Sequence, residues 1–369
     1  MAEKKSQHYV PQMYFRNFSE NGKSIGGFVL SNRKFVRNMP ISGICKRDYL
    51  YGDGLEIEQW FSGLETKWAP VLKKIIRQGS LNLSPPEWTL LLEFIFLSEA
   101  RTGYTADIAD DFTTKVVQAI MMTKRKHGVD DYLSFTDDQI MKMKVGMNIP
   151  NAASIRSMDK ALWLFSDLAL MLIYNTTSRP FITSDNPVVK YNYLFATRNY
   201  RCNYGYGNVG ILIFIPISPQ HCLMTYDPAT YRTSSSTDVL EIHAPNQIIE
   251  LNKLFAINSK SAVYFQNSAR EWVIEEYARG IHDTSKKYNN HILQNDAGEY
   301  LVQFSSPSIF ERFKLDFLII NPQMLHMIFP NNMAGPIRPA IREMQRQDKL
   351  DSIPGRIMDS PFRYLPQFD

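Results

Sequence analysis

The stretch between Ser84 and Arg101 constrains the fold more than any other part of this chain. Ser84-Pro85-Pro86-Glu87 reads as a capping box with proline at the first helical position. The helix it opens carries apolar residues on nearly every side. A helix without a polar face belongs at the centre of a molecule, covered by other elements all round. Its charges, Glu93, Glu99 and Arg101, then need partners or a cavity, because an unpaired charge is costly to bury. Arg101 can hold a phosphate or carboxylate by bidentate contact, or form a structural ion pair with an acid of a neighbouring helix.

The covering elements change character along the chain. Residues 57–77 keep helical spacing, with Phe61, Leu64, Trp68, Leu72 and Ile75 on one face. Further helices are predicted at 104–126, 136–147 and 155–174, and a hairpin at 26–30 and 34–37 around Ser31-Asn32. Downstream, residues 179–183, 209–215, 222–226 and 262–265 read as short strands, with helices at 245–257 and 268–279. This pattern predicts an α+β protein, a helix-rich single domain with a small mixed sheet over residues 1–285. Residues 286–369 read as a C-terminal wrapping segment or tail, less periodic from about Gly335.

Composition excludes several classes. A hydrophobic content of 44% over 369 residues suits a large buried core. The net charge of +4 is too mild to argue for a dedicated nucleic-acid binder, which concentrates basic residues on one face. Cys45, Cys202 and Cys222 lie far apart without a CxxC pair, which speaks against a disulfide framework or structural zinc and for a reducing, cytoplasmic compartment. No signal peptide opens the chain, and the most apolar candidate, 161–174, is too short to span a bilayer and carries Asp167, so no membrane association is expected.

Four constellations can carry chemistry. In His8-Tyr9-Val10-Pro11-Gln12, proline suits a helix start. An imidazole just ahead of a helix is biased to its neutral form, able to act as a base or bind a metal, though a plain N-terminal cap or surface histidine is the more common case. Thr183-Ser184-Asp185-Asn186-Pro187 follows a predicted strand, where ligands gather in sheets with helical crossovers. Asp185 there suits a divalent cation or a general base, or a simple Asx turn. The third is the Glu93, Glu99 and Arg101 set of the central helix. In the fourth, Asn252 shares a stripe with Ile248 and Phe255, so its amide must be hydrogen-bonded, either to a catalytic group or to loop backbone.

Two motifs are discounted or left bland. The string from Gly205 to Gly210 fits GxGxxG but precedes a strand, where a dinucleotide fingerprint would follow one. The aromatics around Tyr200, Tyr204 and Tyr206 suit either base stacking or a hairpin loop. GxSxG, Walker and HExxH motifs are absent.

HYVPQMYFRNF, TSDNPV, the PISP at Pro216 and Asn252 together resemble the bacterial domain-of-unknown-function family 4238, over about residues 7 to 270. Met13 and Phe15 stand where an aromatic residue and a leucine are usual. The resemblance implies that His8, Pro11, Gln12, Arg101, Asp185, Asn186 and Asn252 are signature positions, and it carries no reaction with it. It favours one shared polar site. The leading expectation is a metal-assisted, nuclease-like phosphodiester hydrolase. His8, Asp185 and Arg101 would be catalytic, Gln12, Asn186 and Asn252 would bind, and Asp185 would hold Mg2+ or Mn2+. Nucleic acid or a nucleotide would be the partner. The alternatives are a small-molecule or peptide sensor without turnover, and a purely structural polar network.

Overall fold

The computed structural model describes residues 6–157, 162–202, 204–279, 290–304, 308–329 and 335–346. At its centre is the helix Pro85–Ala100, capped by Ser84 as its sequence predicts. The Glu87 carboxylate accepts from the Ser84 N–H at 2.7 Å and the Ser84 hydroxyl at 2.9 Å. It also takes a 2.7 Å hydrogen bond from Lys74, on the neighbouring helix Glu56–Gln78. Trp68 and Phe94 meet edge to face between these two helices, at 5.7 Å. A third long helix, Gly103–Lys126, starts where the Thr102 hydroxyl accepts from the Thr105 N–H.

Two principal sheets pack with these helices. The larger runs in the order Val239–Ile242, Ala169–Asn175, His221–Tyr226, Leu212–Pro216, Val189–Tyr191, and only its first pair is parallel. The other is antiparallel, in the order Lys34–Pro40, Ser24–Val29, Ala262–Phe265, Thr183–Ser184. Among the described residues there are also three two-stranded ribbons, one of which joins Ser6–His8 to Lys46–Asp48. The class is α+β, and the predicted hairpin is the Ser24–Val29 and Lys34–Pro40 pair. The single small mixed sheet of the sequence reading is replaced by this larger set.

The main correction lies at 155–174. The described part of that segment holds a short helix, Ala152–Arg156, a 3-10 turn, Leu162–Phe165, and then the inner strand Ala169–Asn175. Its apolar run is short, and periodicity alone does not separate a buried strand from a buried helix. The helix predicted at 136–147 shrinks to Asp137–Lys142, and of 179–183 only Thr183 enters a strand. The helix of the HYVPQ motif is one turn, Gln12–Arg16, with Pro11 as its N-cap. His8 lies in a strand rather than against a long helix, so the helix-dipole argument for a neutral imidazole loses its force.

Beyond residue 285, Leu318–Ile320 pairs with Tyr231–Thr233, and Arg338 is buried against Asp167 through two hydrogen bonds of 2.8 Å. Residues 347–369 of the expected tail lie outside the described residues. Among the described residues, no helix is long and apolar enough to cross a membrane.

Candidate functional site

His8 and Gln12 from the N-terminal segment meet Arg101, from the end of the central helix, at one polar cavity of 220 Å3, which is lined also by Met13, Arg16, Glu58, Phe61, Ser62 and Glu65. Glu58, Phe61, Ser62 and Glu65 are spaced three and four residues apart, which puts them on one face of the Glu56–Gln78 helix.

Arg101, only 1% exposed, forms the floor. It donates through Nη1 to Glu65 at 2.8 Å, through Nη2 to the His8 carbonyl at 2.7 Å and through Nε to the Tyr51 hydroxyl at 3.2 Å. Its guanidinium carbon stands 3.9 Å from the Phe61 ring centre. Burial opposes its charge, but Tyr51 and Glu65 outweigh that and hold its pKa above the ordinary value. Burial pushes the Tyr51 hydroxyl up to about 12 against the pull of Arg101. The sequence expectation of an ion pair with a neighbouring helix is met by Glu65.

Above this floor, Gln12 Nε2 lies 3.4 Å from His8 Nε2, and Arg16 donates to Gln12 Oε1 at 3.2 Å. An amide N–H can bond to a ring nitrogen only while that nitrogen carries a lone pair, so the contact suits a neutral His8 and is broken by its protonation. Two guanidinium groups, of Arg16 and Arg101, and two carboxylates, of Glu58 and Glu65, share the lining with the His8 imidazole.

Asp185, Asn186 and Asn252 are not in this lining. Asp185, 3% exposed, accepts the backbone N–H of Lys260 at 2.9 Å and of Ser261 at 2.8 Å, one on each oxygen. Its partners lie 75 and 76 residues away, so it is not an Asx turn; within the loop it is the Ser184 hydroxyl that accepts from the Asn186 N–H. Burial raises the Asp185 pKa, and the Lys260 and Ser261 amides oppose the rise. With both oxygens engaged, and with no group of three or more His, Cys, Asp or Glu placed to hold a metal ion among the described residues, Asp185 does not fit a magnesium or manganese site.

The other two amides are also ties. Asn186 donates to the Asn258 carbonyl at 3.1 Å, while Asn258 donates back to Asn186 at 2.7 Å and to Val188 at 2.9 Å. Asn252 accepts the Ile182 N–H at 3.1 Å and donates to the Pro180 carbonyl at 2.9 Å. They clamp residues 180–188 to the helix Pro245–Asn258 and its end. Tyr14 extends the clamp: its hydroxyl meets Thr183 Oγ1 at 2.5 Å and donates to the Pro216 carbonyl at 2.6 Å, so it joins the HYVPQ, TSDNPV and PISP segments.

The sequence reading missed Glu58, Ser62 and Glu65, although their spacing on one helix face was available to find them. It also missed a surface charge group in which Lys260 and Arg47 both pair with Asp107. Burial, with Arg47 nearby, lowers the Lys260 pKa to about 8. No local signal links residues so far apart. The Gly205–Gly210 loop is clasped by the tail, with the Arg338 N–H donating to the Gly207 carbonyl, in keeping with its discount as a nucleotide motif. Tyr204 and Tyr206 point into the packing, Tyr206 stacked on Phe96 at 5.1 Å and bonded to Glu99, which disfavours a stacking loop.

A family model described as a protein of unknown function (DUF4238) matches residues 6–269. No curated protein and no solved structure matches the chain.

Proposed function

The chain belongs to the DUF4238 family of proteins of unknown function, and on that premise we propose that it is a recognition module that binds a small polar ligand at the His8 cavity without turnover. The observation that carries this reading is the meeting of His8, Gln12 and Arg101 with Glu58, Ser62 and Glu65 around one 220 Å3 space. The lining balances two guanidinium groups against two carboxylates, which suits a ligand that carries both a cationic and an anionic group, such as an amino acid or the backbone of a short peptide. Asp185, Asn186 and Asn252 support the site at a distance, by holding the TSDNPV loop to the core.

Phosphodiester hydrolysis is the second reading, favoured by an imidazole that shares the cavity with two carboxylates and a buried guanidinium. It would run through His8 and not through Asp185. One experiment separates the two. The protein is incubated with RNA, DNA and nucleotides in buffer containing a chelator and again with added magnesium, beside a His8→Ala control. The recognition reading expects no cleavage above that control in either buffer. Cleavage that disappears in His8→Ala would replace it with the hydrolase.

A further inference from the structure

The segment held by Asn252 forms one wall of a second, larger cavity of 470 Å3. Pro180 and Ile182, whose backbone Asn252 bonds, line it together with Arg179, Arg270, Trp272 and Tyr277. The lining includes two arginines and no acid. The Arg179 guanidinium lies 5.2 Å from the Trp272 ring centre, and Trp272, 53% exposed, still offers indole surface to a ligand. Backbone bonds fix the arginine: Asn175 donates to the Arg179 carbonyl at 2.6 Å, and the Arg179 N–H donates to Thr177 Oγ1 at 3.1 Å.

In this wall the buried Tyr277 hydroxyl is within hydrogen-bonding reach of the Asn252 and Arg179 side chains. Burial raises the Tyr277 pKa, with Asn252 and Arg179 beside it opposing the rise. A half-exposed tryptophan beside a guanidinium offers a ring face and a positive charge together, which matches the needs of a planar anion.

We infer that this cavity binds an anion joined to a planar ring, the chemistry of a nucleoside monophosphate. The phosphate is taken by Arg179 and Arg270, and the ring stacks on Trp272. A guanidinium beside an aromatic ring pairs a planar stacking partner with a fork of N–H donors of the kind that phosphate oxygens take. The inference concerns a different cavity from the His8 site and does not depend on it.

Calorimetric titration of the full chain tests it, with AMP, adenosine, ribose 5-phosphate and inorganic phosphate as probes. AMP should bind at least about tenfold more tightly than each of the other three, because only it supplies both ring and charge. Arg179→Ala and Trp272→Leu should each weaken AMP binding at least about tenfold at an unchanged melting temperature. If Arg179→Ala fails to fold, Trp272→Leu decides, because its side chain is half exposed. Three results would overturn the inference: no AMP binding at millimolar concentration, inorganic phosphate or ribose 5-phosphate binding as tightly as AMP, or AMP binding unchanged in Trp272→Leu. Loss of AMP binding in His8→Ala would move the ligand to the first cavity and overturn it too.

Discussion

Arg101 reaches across 93 residues of chain to donate a 2.7 Å hydrogen bond to the backbone carbonyl of His8. The same guanidinium holds Glu65 and Tyr51, so one buried side chain joins the N-terminal strand, the Glu56–Gln78 helix and the end of the central helix. It fixes the floor of the cavity and the position of His8 above it.

That bond makes Arg101 the most costly single residue of the site to lose. Arg101→Ala should destabilise the protein by about 3 kcal/mol, the usual scale for removing one partner of a buried pair. Arg101→Lys keeps the charge but not the fork, and should recover less than half of that loss. Urea denaturation measures both, and an Arg101→Ala midpoint equal to wild type would show that these three bonds do not hold the N-terminal strand.

Glu87 links the central helix to its neighbour and should be visible in acid. Its carboxyl is held down to about 2, first by Lys74 and then by the Ser84 N–H and hydroxyl, against an ordinary 4.5. A lowered folded pKa means stability that is complete above 4.5 and lost as pH falls from 4.5 towards 2. Glu87→Gln should lower the melting temperature at pH 7 and flatten its fall across that window. Parallel wild-type and variant curves between pH 5 and 2 would place the acid transition elsewhere.

Asp185→Asn should destabilise the fold by about 1–3 kcal/mol, because an amide turns one of its two acceptors into a donor facing a backbone N–H. The carboxyl also brings its own pH dependence. Its folded pKa is raised above 3.8, so its contribution is most favourable below 3.8 and declines as pH rises through the folded value. The amide variant lacks that slope. A variant that melts like wild type at every pH would remove the clamp role argued for this residue.

Sequence legibility followed the physics of each segment. The capping box, the long amphipathic helices and the Ala262–Phe265 strand were readable, because their signals are local or strictly periodic. Ala169–Asn175 was not, since a short apolar run buried in a sheet carries no period of its own. The sequence singled out six polar residues as site candidates but did not show how they divide. His8, Gln12 and Arg101 share a cavity, whereas Asp185, Asn186 and Asn252 bond backbone that lies about 70 residues away. A hydrogen bond to a distant main chain leaves no trace in spacing, and a carboxylate reads the same whether it faces a cation or two backbone amides.

The most direct test of the recognition reading is the melting temperature of the intact protein against amino acids and short peptides, wild type beside His8→Ala. A ligand that binds only the folded state at a hundred times its Kd adds about 2.7 kcal/mol of stability. The account predicts that at least one compound with both a cationic and an anionic group raises the wild-type melting temperature in the presence of chelator. It also predicts that His8→Ala melts like wild type without ligand and loses the shift. An equal shift in both proteins, or no shift in either, would contradict it.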